Sequence, residues 1–113
     1  MSELETERIY LGDRGITAIE PGAFRGFRGS NKVVILALYG NSISSLGPGM
    51  FDGLESLKTV ILNTNNIATI RNGTFDGLDN LRCLVLGENP LTCDDVVDQL
   101  PPGAKCTNAF DGC

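Results

Sequence analysis

The sequence predicts an α/β solenoid: a short coil of repeats with a parallel concave sheet of about four strands and a small disulfide-stapled C-terminal cap. Three observations predict this fold. The pattern L-x-x-L-x-L-x-x-N-x-L, with conservative apolar replacements, occurs at residues 33–43, 57–67 and 81–91. Its asparagines, Asn41, Asn65 and Asn89, lie 24 residues apart. All four cysteines fall in the last third of the chain.

The Leu-x-Leu core of each repeat predicts a short strand, because alternate side chains of a strand point to opposite faces. One face enters the core, and its members are Leu36, Leu38, Val60, Leu62, Leu84 and Leu86. The asparagine then ends the strand at a tight bend, where its amide can bond the backbone of the turn and of the next coil. Stacked asparagines are therefore expected to form a ladder along the solenoid.

The chain divides into a short N-terminal segment (1–8), repeats (9–92) and a cysteine-containing cap (93–113). Residues 9–32 form a degenerate first repeat, with Arg14 at the asparagine position, so the ladder is expected to stop there. The next two repeats share Gly-x-Phe-x-Gly-Leu, and the rings of Phe51 and Phe75 are expected to stack on the convex side. From Phe24 to Phe51 the spacing is 27 residues, which places an insertion within 27–32.

These motifs resemble the leucine-rich repeat family, and more closely its typical 24-residue extracellular class with a C-terminal cysteine cap. Variable lymphocyte receptors, Slit-type ligands and Toll-like receptor ectodomains are of this kind. The resemblance covers roughly residues 9–93 and implies a recognition role. It also implies an extracellular or cell-surface location, although no signal peptide is visible in the acidic first residues.

The N-P-L-x-C junction at residues 89–93 looks like the entry to that family's cap, with Thr92 capping a short helix. Asp95 replaces the second cysteine of the usual Cys-x-Cys, so the family's pairing does not transfer. Cys83 opens a concave strand and Cys93 lies past the turn, too far apart for a disulfide. Of the other two pairings of Cys83, Cys93, Cys106 and Cys113, we prefer Cys93–Cys113 with Cys83–Cys106.

The composition of the chain limits the partners and reactions that we expect. The net charge is −5 and no basic patch is evident, so nucleic acid is a poor partner. There is no histidine, nucleophile motif or phosphate loop, which argues against an enzyme, and neither cofactor nor metal is predicted. No apolar run is long enough to insert into a membrane. Asn72 begins an N-x-T sequon and is a glycosylation candidate, although a turn matching by chance is an equal alternative.

Outward strand positions form the concave face, which is the extended binding surface of solenoids. Its centre is predicted to be apolar and aromatic, which packing of the core does not require, so it is the expected contact surface. The predicted ligand-binding residues are Arg8, Tyr10, Ile35, Ala37, Tyr39, Thr59, Ile61, Asn63, Val85 and Glu88.

Two functions compete. The first is a non-catalytic module that binds a protein or glycan ligand on its concave face, in immune-type recognition or adhesion, as the family resemblance implies. The second is a structural or assembly role, with a homodimer formed through the apolar concave face or the uncapped N-terminal edge of the sheet. The fold alone does not choose a ligand.

Overall fold

The computed structural model describes residues 6–27, 29, 32–109 and 112–113. The strands in chain order are β1 (Glu7–Tyr10), β2 (Val33–Ala37), β3 (Ser45–Leu46), β4 (Thr59–Ile61), β5 (Thr69–Ile70), β6 (Cys83–Val85) and β7 (Lys105–Thr107). A helix, α1, spans Cys93–Val96, and two single-turn 3-10 helices span Arg25–Phe27 and Val97–Gln99.

The concave sheet contains five parallel strands in the order β1-β2-β4-β6-β7. Its register aligns the outward residues of successive coils in two columns. The first column is Arg8, Ile35, Thr59, Cys83 and Lys105, and the second is Tyr10, Ala37, Ile61, Val85 and Thr107. The expectation of about four strands is thus extended by one, because the cap itself supplies β7. A three-residue strand with one inward residue, Cys106, has no detectable period in the sequence.

The asparagine ladder is present. The Asn65 side-chain oxygen accepts from the Ile43 backbone N–H at 3.0 Å, and its amide donates to the carbonyls of Leu38 and Leu62. Asn41 and Asn89 make the same kinds of bonds with their own and the preceding coil. Each amide therefore satisfies backbone groups of two coils at once, where the chain turns beside an apolar core.

On the side opposite the concave sheet, β3 and β5 pair in parallel and the turns that follow carry phenylalanines. The rings of Phe51 and Phe75 stack with centroids 6.1 Å apart and planes 17° apart, which confirms the predicted aromatic stack. The main core lies between these two sides. Its fully buried side chains include Leu36, Leu38, Ile43, Leu46, Leu54, Leu57, Val60, Leu62, Ile67, Leu81, Leu84 and Leu86.

The cap begins with the predicted short helix. The Asp95 carboxylate accepts hydrogen bonds from the Thr92 backbone N–H at 2.9 Å and from the Thr92 hydroxyl at 3.0 Å. These bonds, the backbone one first, hold the pKa of the Asp95 carboxyl below its usual range. The residue that stands where the family has a second cysteine thus serves the helix N-terminus instead.

The preferred disulfide pairing was wrong. Cys83 is bonded to Cys113, with Cα atoms 6.0 Å apart, and Cys93 to Cys106, with Cα atoms 5.5 Å apart. Cys106 points inward from β7 and meets Cys93 at the end of the core, where both are half-buried. Cys83 faces outward on the concave side, so only a chain returning over that side can reach it.

Two expectations fall outside the described residues. The first concerns the N-terminal segment, of which residues 1–5 are not described. The second concerns the insertion within 27–32, of which positions 28, 30 and 31 are not described. Within the part of the chain that the structure describes, no helix is long and apolar enough to span a membrane.

Candidate functional site

The N-terminal half of the concave face presents two tyrosines to solvent. Tyr10, on β1, is 57% exposed, and Tyr39, just after β2, is 36% exposed. The Tyr39 ring lies against the backbone of Gly12, where a Cβ atom would overlap the ring. Glycine at this position therefore lets the ring lean toward the first coil. Arg8 is exposed and Ile35 half-buried beside them, so these four residues form one surface, which we call the tyrosine patch.

The centre of the face differs from expectation. Ala37, Ile61 and Val85 were predicted to be exposed, but Ile61 is only 3% and Val85 1% accessible, and Ala37 is fully enclosed. They form a second small hydrophobic cluster with Cys83, against which Ile35 packs. The prediction of an open apolar surface was therefore wrong at these three positions. Their burial gives them a packing role that the sequence pattern did not reveal.

The C-terminal segment contacts the C-terminal half of the concave face at two points. Cys113 is bonded to Cys83 in the first column, and the Asn108 carbonyl lies against Gly87, just after β6. A Cβ atom on Gly87 would collide with that carbonyl. Asn108 therefore lies just past the end of β6, and Cys113 is bonded to the first residue of that strand. The only sequence signal for these contacts was the cysteine at the C-terminus of the chain.

The remaining predicted residues lie along the strand ends. Thr59 and Asn63 are half-buried, and the Asn63 side-chain oxygen is enclosed and accepts no hydrogen bond from any described residue. Glu88 is exposed and has a left-handed backbone with φ of 59°. Asp13, Gly40 and Thr64 share this conformation in the other coils, so these four residues form a row of left-handed turns.

Asn72 is exposed on the side away from the concave face. The hydroxyl of Thr74, the third residue of the sequon, is buried and donates to the Arg71 carbonyl at 2.7 Å. A glycan on Asn72 would project from the turn without touching the tyrosine patch. Glycosylation itself stays a prediction.

Two clefts on the surface lie outside the tyrosine patch. An open cleft of about 380 Å³ lies between β5 and the turn at Pro90, and a smaller one of about 140 Å³ lies near Arg71. No group of three or more potential metal-ligating side chains occurs among residues 6–27, 29, 32–109 and 112–113. The arrangement offers an extended curved face with an open and a covered half.

Comparison with known proteins points in one direction. The leucine-rich repeat family model matches residues 5–59 and 31–91. Among solved structures, 43 chains match, and one belongs to the crystal structure of a TLR13–ssRNA13 complex. It is similar to this chain with a TM-score of 0.69 and 34% identity, covering 76% of this chain but 12% of its own. The chain thus spans about an eighth of that relative. No curated protein matches.

Proposed function

The chain belongs to the leucine-rich repeat family, and on that premise we propose that it is a non-catalytic recognition module. It binds a protein or glycan ligand on the tyrosine patch. One observation carries the proposal: Tyr10 and Tyr39 stay exposed on the concave face while the apolar centre beside them is enclosed. Neither ring contributes to the core, so both rings remain accessible to a partner.

Tyrosines suit this role physically. Each offers a large flat surface with few rotatable bonds and a hydroxyl that bonds either a carbonyl or a sugar hydroxyl. Tyrosine and arginine are both enriched in binding interfaces. Arg8 and Tyr10 are outward residues two positions apart on β1, so one ligand group can meet both.

The TLR13 relative was crystallised with single-stranded RNA, but this chain corresponds to only 12% of that protein. Here the net charge is −5, which disfavours a nucleic acid backbone over the surface as a whole. The proposed partner is therefore a protein or a glycan and not a nucleic acid.

The proposed setting is extracellular or at the cell surface, in immune-type recognition or adhesion. Two disulfides support this setting, because such bonds persist in oxidising compartments. The repeats (9–92) would carry the ligand site together with Arg8 of the preceding segment (1–8), and the cap (93–113) would close the far end.

An array of immobilised candidate proteins and glycans tests the proposal, probed with the wild-type chain and with Y10S/Y39S. Ligands captured by the wild type are expected to be lost by the tyrosine variant. V97S is the matched control, since Val97 is a 49% exposed apolar residue on the cap, away from the patch. Equal capture by wild type and Y10S/Y39S would refute the patch.

A second candidate is self-association through β1. This strand lies at the edge of the sheet, and its outer backbone groups have no partner strand in the described part of the chain. Two copies could pair their edges. Sedimentation across a concentration series tests this role, and a strict monomer at high micromolar concentration would argue against it.

A further inference from the structure

Five of the nine basic residues lie along one edge of the concave sheet, where its strands begin. Each strand contributes one cation, either as an early residue of the strand or immediately before it. In strand order they are Arg8, Lys32, Lys58, Arg82 and Lys105. We call this set the basic row. It is unexpected in a chain with a net charge of −5.

Backbone hydrogen bonds link the last three members of the row directly, whereas the Lys58 N–H donates to the carbonyl of Val34, two residues after Lys32. The Arg82 N–H donates to the Lys58 carbonyl at 2.8 Å, and the Lys105 N–H donates to the Arg82 carbonyl at 3.0 Å. At the other end, the Glu7 N–H donates to the Lys32 carbonyl at 2.8 Å. Parallel strands lie about 4.8 Å apart, so the row extends over about 19 Å across the five strands.

Most of these cations are available to a ligand. Arg8, Lys58, Arg82 and Lys105 are exposed, and none of the four forms an ion pair with another described residue. The one ion pair in the described chain joins Arg25 to Asp52, at 3.1 Å on the convex side. Glu7 is the acidic residue within the row, and Glu55 and Asp79 each precede a row cation by three residues. The positive charge of Lys58, Arg82 and Lys105 is thus uncompensated by close partners.

We propose that the basic row is a second binding site and that it binds a sulfated polysaccharide laid across the strands. Its central members, Lys58 and Arg82, lie outside the tyrosine patch. A linear polyanion matches cations that follow one another from strand to strand, because each sulfate or carboxylate can meet one ammonium or guanidinium group. Lys58 and Arg82 lie level with each other, and Arg8 and Lys105 lie one position further along their strands. Such a site needs no pocket, because the sulfates contact charges on the surface.

The structure favours a polysaccharide over a nucleic acid as this polyanion. Binding of single strands relies on aromatic side chains against which bases stack. Beside Arg82 and Lys105, the concave face is occupied by the C-terminal segment tied to Cys83. Bases branching inward from a phosphate chain would meet that segment, and the row itself contains no aromatic residue. Tyr10 and Tyr39 lie only beside the first two strands.

The test measures binding of the whole chain to a size-defined heparin oligosaccharide by titration calorimetry at several salt concentrations. The variant K58S/R82S is expected to bind about tenfold more weakly. The plot of log K against log salt is expected to become less steep by about 1.4, because two anion contacts are lost at about 0.7 for each contact. R14S/R71S is the matched control, as it removes two exposed cations outside the row. It is expected to bind like the wild type.

Three results would overturn the proposal. The wild-type chain could fail to bind heparin, or R14S/R71S could lose as much affinity as K58S/R82S, which would indicate charge in general. Single-stranded RNA of equal charge could also bind more tightly than heparin through the same two residues. Circular dichroism confirms that each variant is folded. The array result with Y10S/Y39S is independent, so failure of either proposal leaves the other standing.

Discussion

The side-chain oxygen of Asn65 accepts a hydrogen bond from the backbone N–H of Ile43, one coil earlier, at 3.0 Å. The same side chain donates to the carbonyls of Leu38 and Leu62. One buried amide thus links two coils at the point where neither can reach water. Coupling between neighbouring coils runs through such rungs as well as through the leucine core.

Replacing Asn65 with alanine is expected to lower the free energy of unfolding by about 3 kcal/mol, because it leaves the buried Ile43 N–H without a partner and removes one of the two asparagine amides that donate to each of the Leu38 and Leu62 carbonyls. Chemical denaturation measures this loss. Asn66→Ala is the control, as Asn66 is exposed in the adjacent position. A loss no larger than that of the control would show that water replaces the rung.

Thr64 is exposed and has φ of 59°, a conformation that β-branched residues rarely adopt. Thr64→Gly is expected to raise the free energy of unfolding by about 1 kcal/mol through relief of this strain. The same change at Thr69, an exposed residue of β5, is expected to be destabilising. Thermal unfolding of the two variants decides the matter, and a fall in stability for Thr64→Gly contradicts the strain argument.

Peptide mapping without reduction is expected to recover Cys83 with Cys113 and Cys93 with Cys106. Cleavage after Glu88 and before Asp94, Asp98 and Asp111 places each cysteine on its own peptide. Mass spectrometry then identifies the linked pairs. Recovery of Cys83 with Cys106 would restore the pairing preferred from the sequence.

Loss of the Cys83–Cys113 bond is expected to uncover the second hydrophobic cluster. The variant C83S/C113S should bind the dye ANS more strongly, as Ile61 and Val85 become accessible, and should lose about 3 kcal/mol of stability. C93S/C106S is the comparison, since that bridge lies at the end of the core. Equal dye binding by the two folded variants would mean that the C-terminal segment stays in place without its bond.

The Asp95–Thr92 pair predicts a pH dependence. The hydrogen bonds from Thr92 lower the pKa of folded Asp95, so their stabilisation is present above the ordinary aspartate pKa of about 3.9 and is lost as pH falls through the folded value. The melting temperature of the wild type should exceed that of D95N near neutral pH and approach it in acid. D98N, which changes an exposed aspartate outside these bonds, should show no such convergence.

The repeat architecture was predictable because its signals recur. Leu36, Val60 and Leu84 occupy equal positions in three coils, so period and register follow from the sequence alone. The cap was less accessible, because Lys105–Thr107 occurs once and its partner is set by long-range return of the chain. For the same reason, the burial of Ile61 could not be predicted from its outward position on β4. The local alternation of apolar residues predicts the face of the sheet from which a side chain projects, but it does not predict which other residues cover that face.

The equal rungs at Asn41, Asn65 and Asn89 have a practical consequence for engineering. A duplicated 24-residue unit inserted between β2 and β6 would bring its own asparagine, its own phenylalanine and one outward residue for each of the two columns. The solenoid could therefore be lengthened by about 4.8 Å for each added unit, while the first coil and the cap stay unchanged.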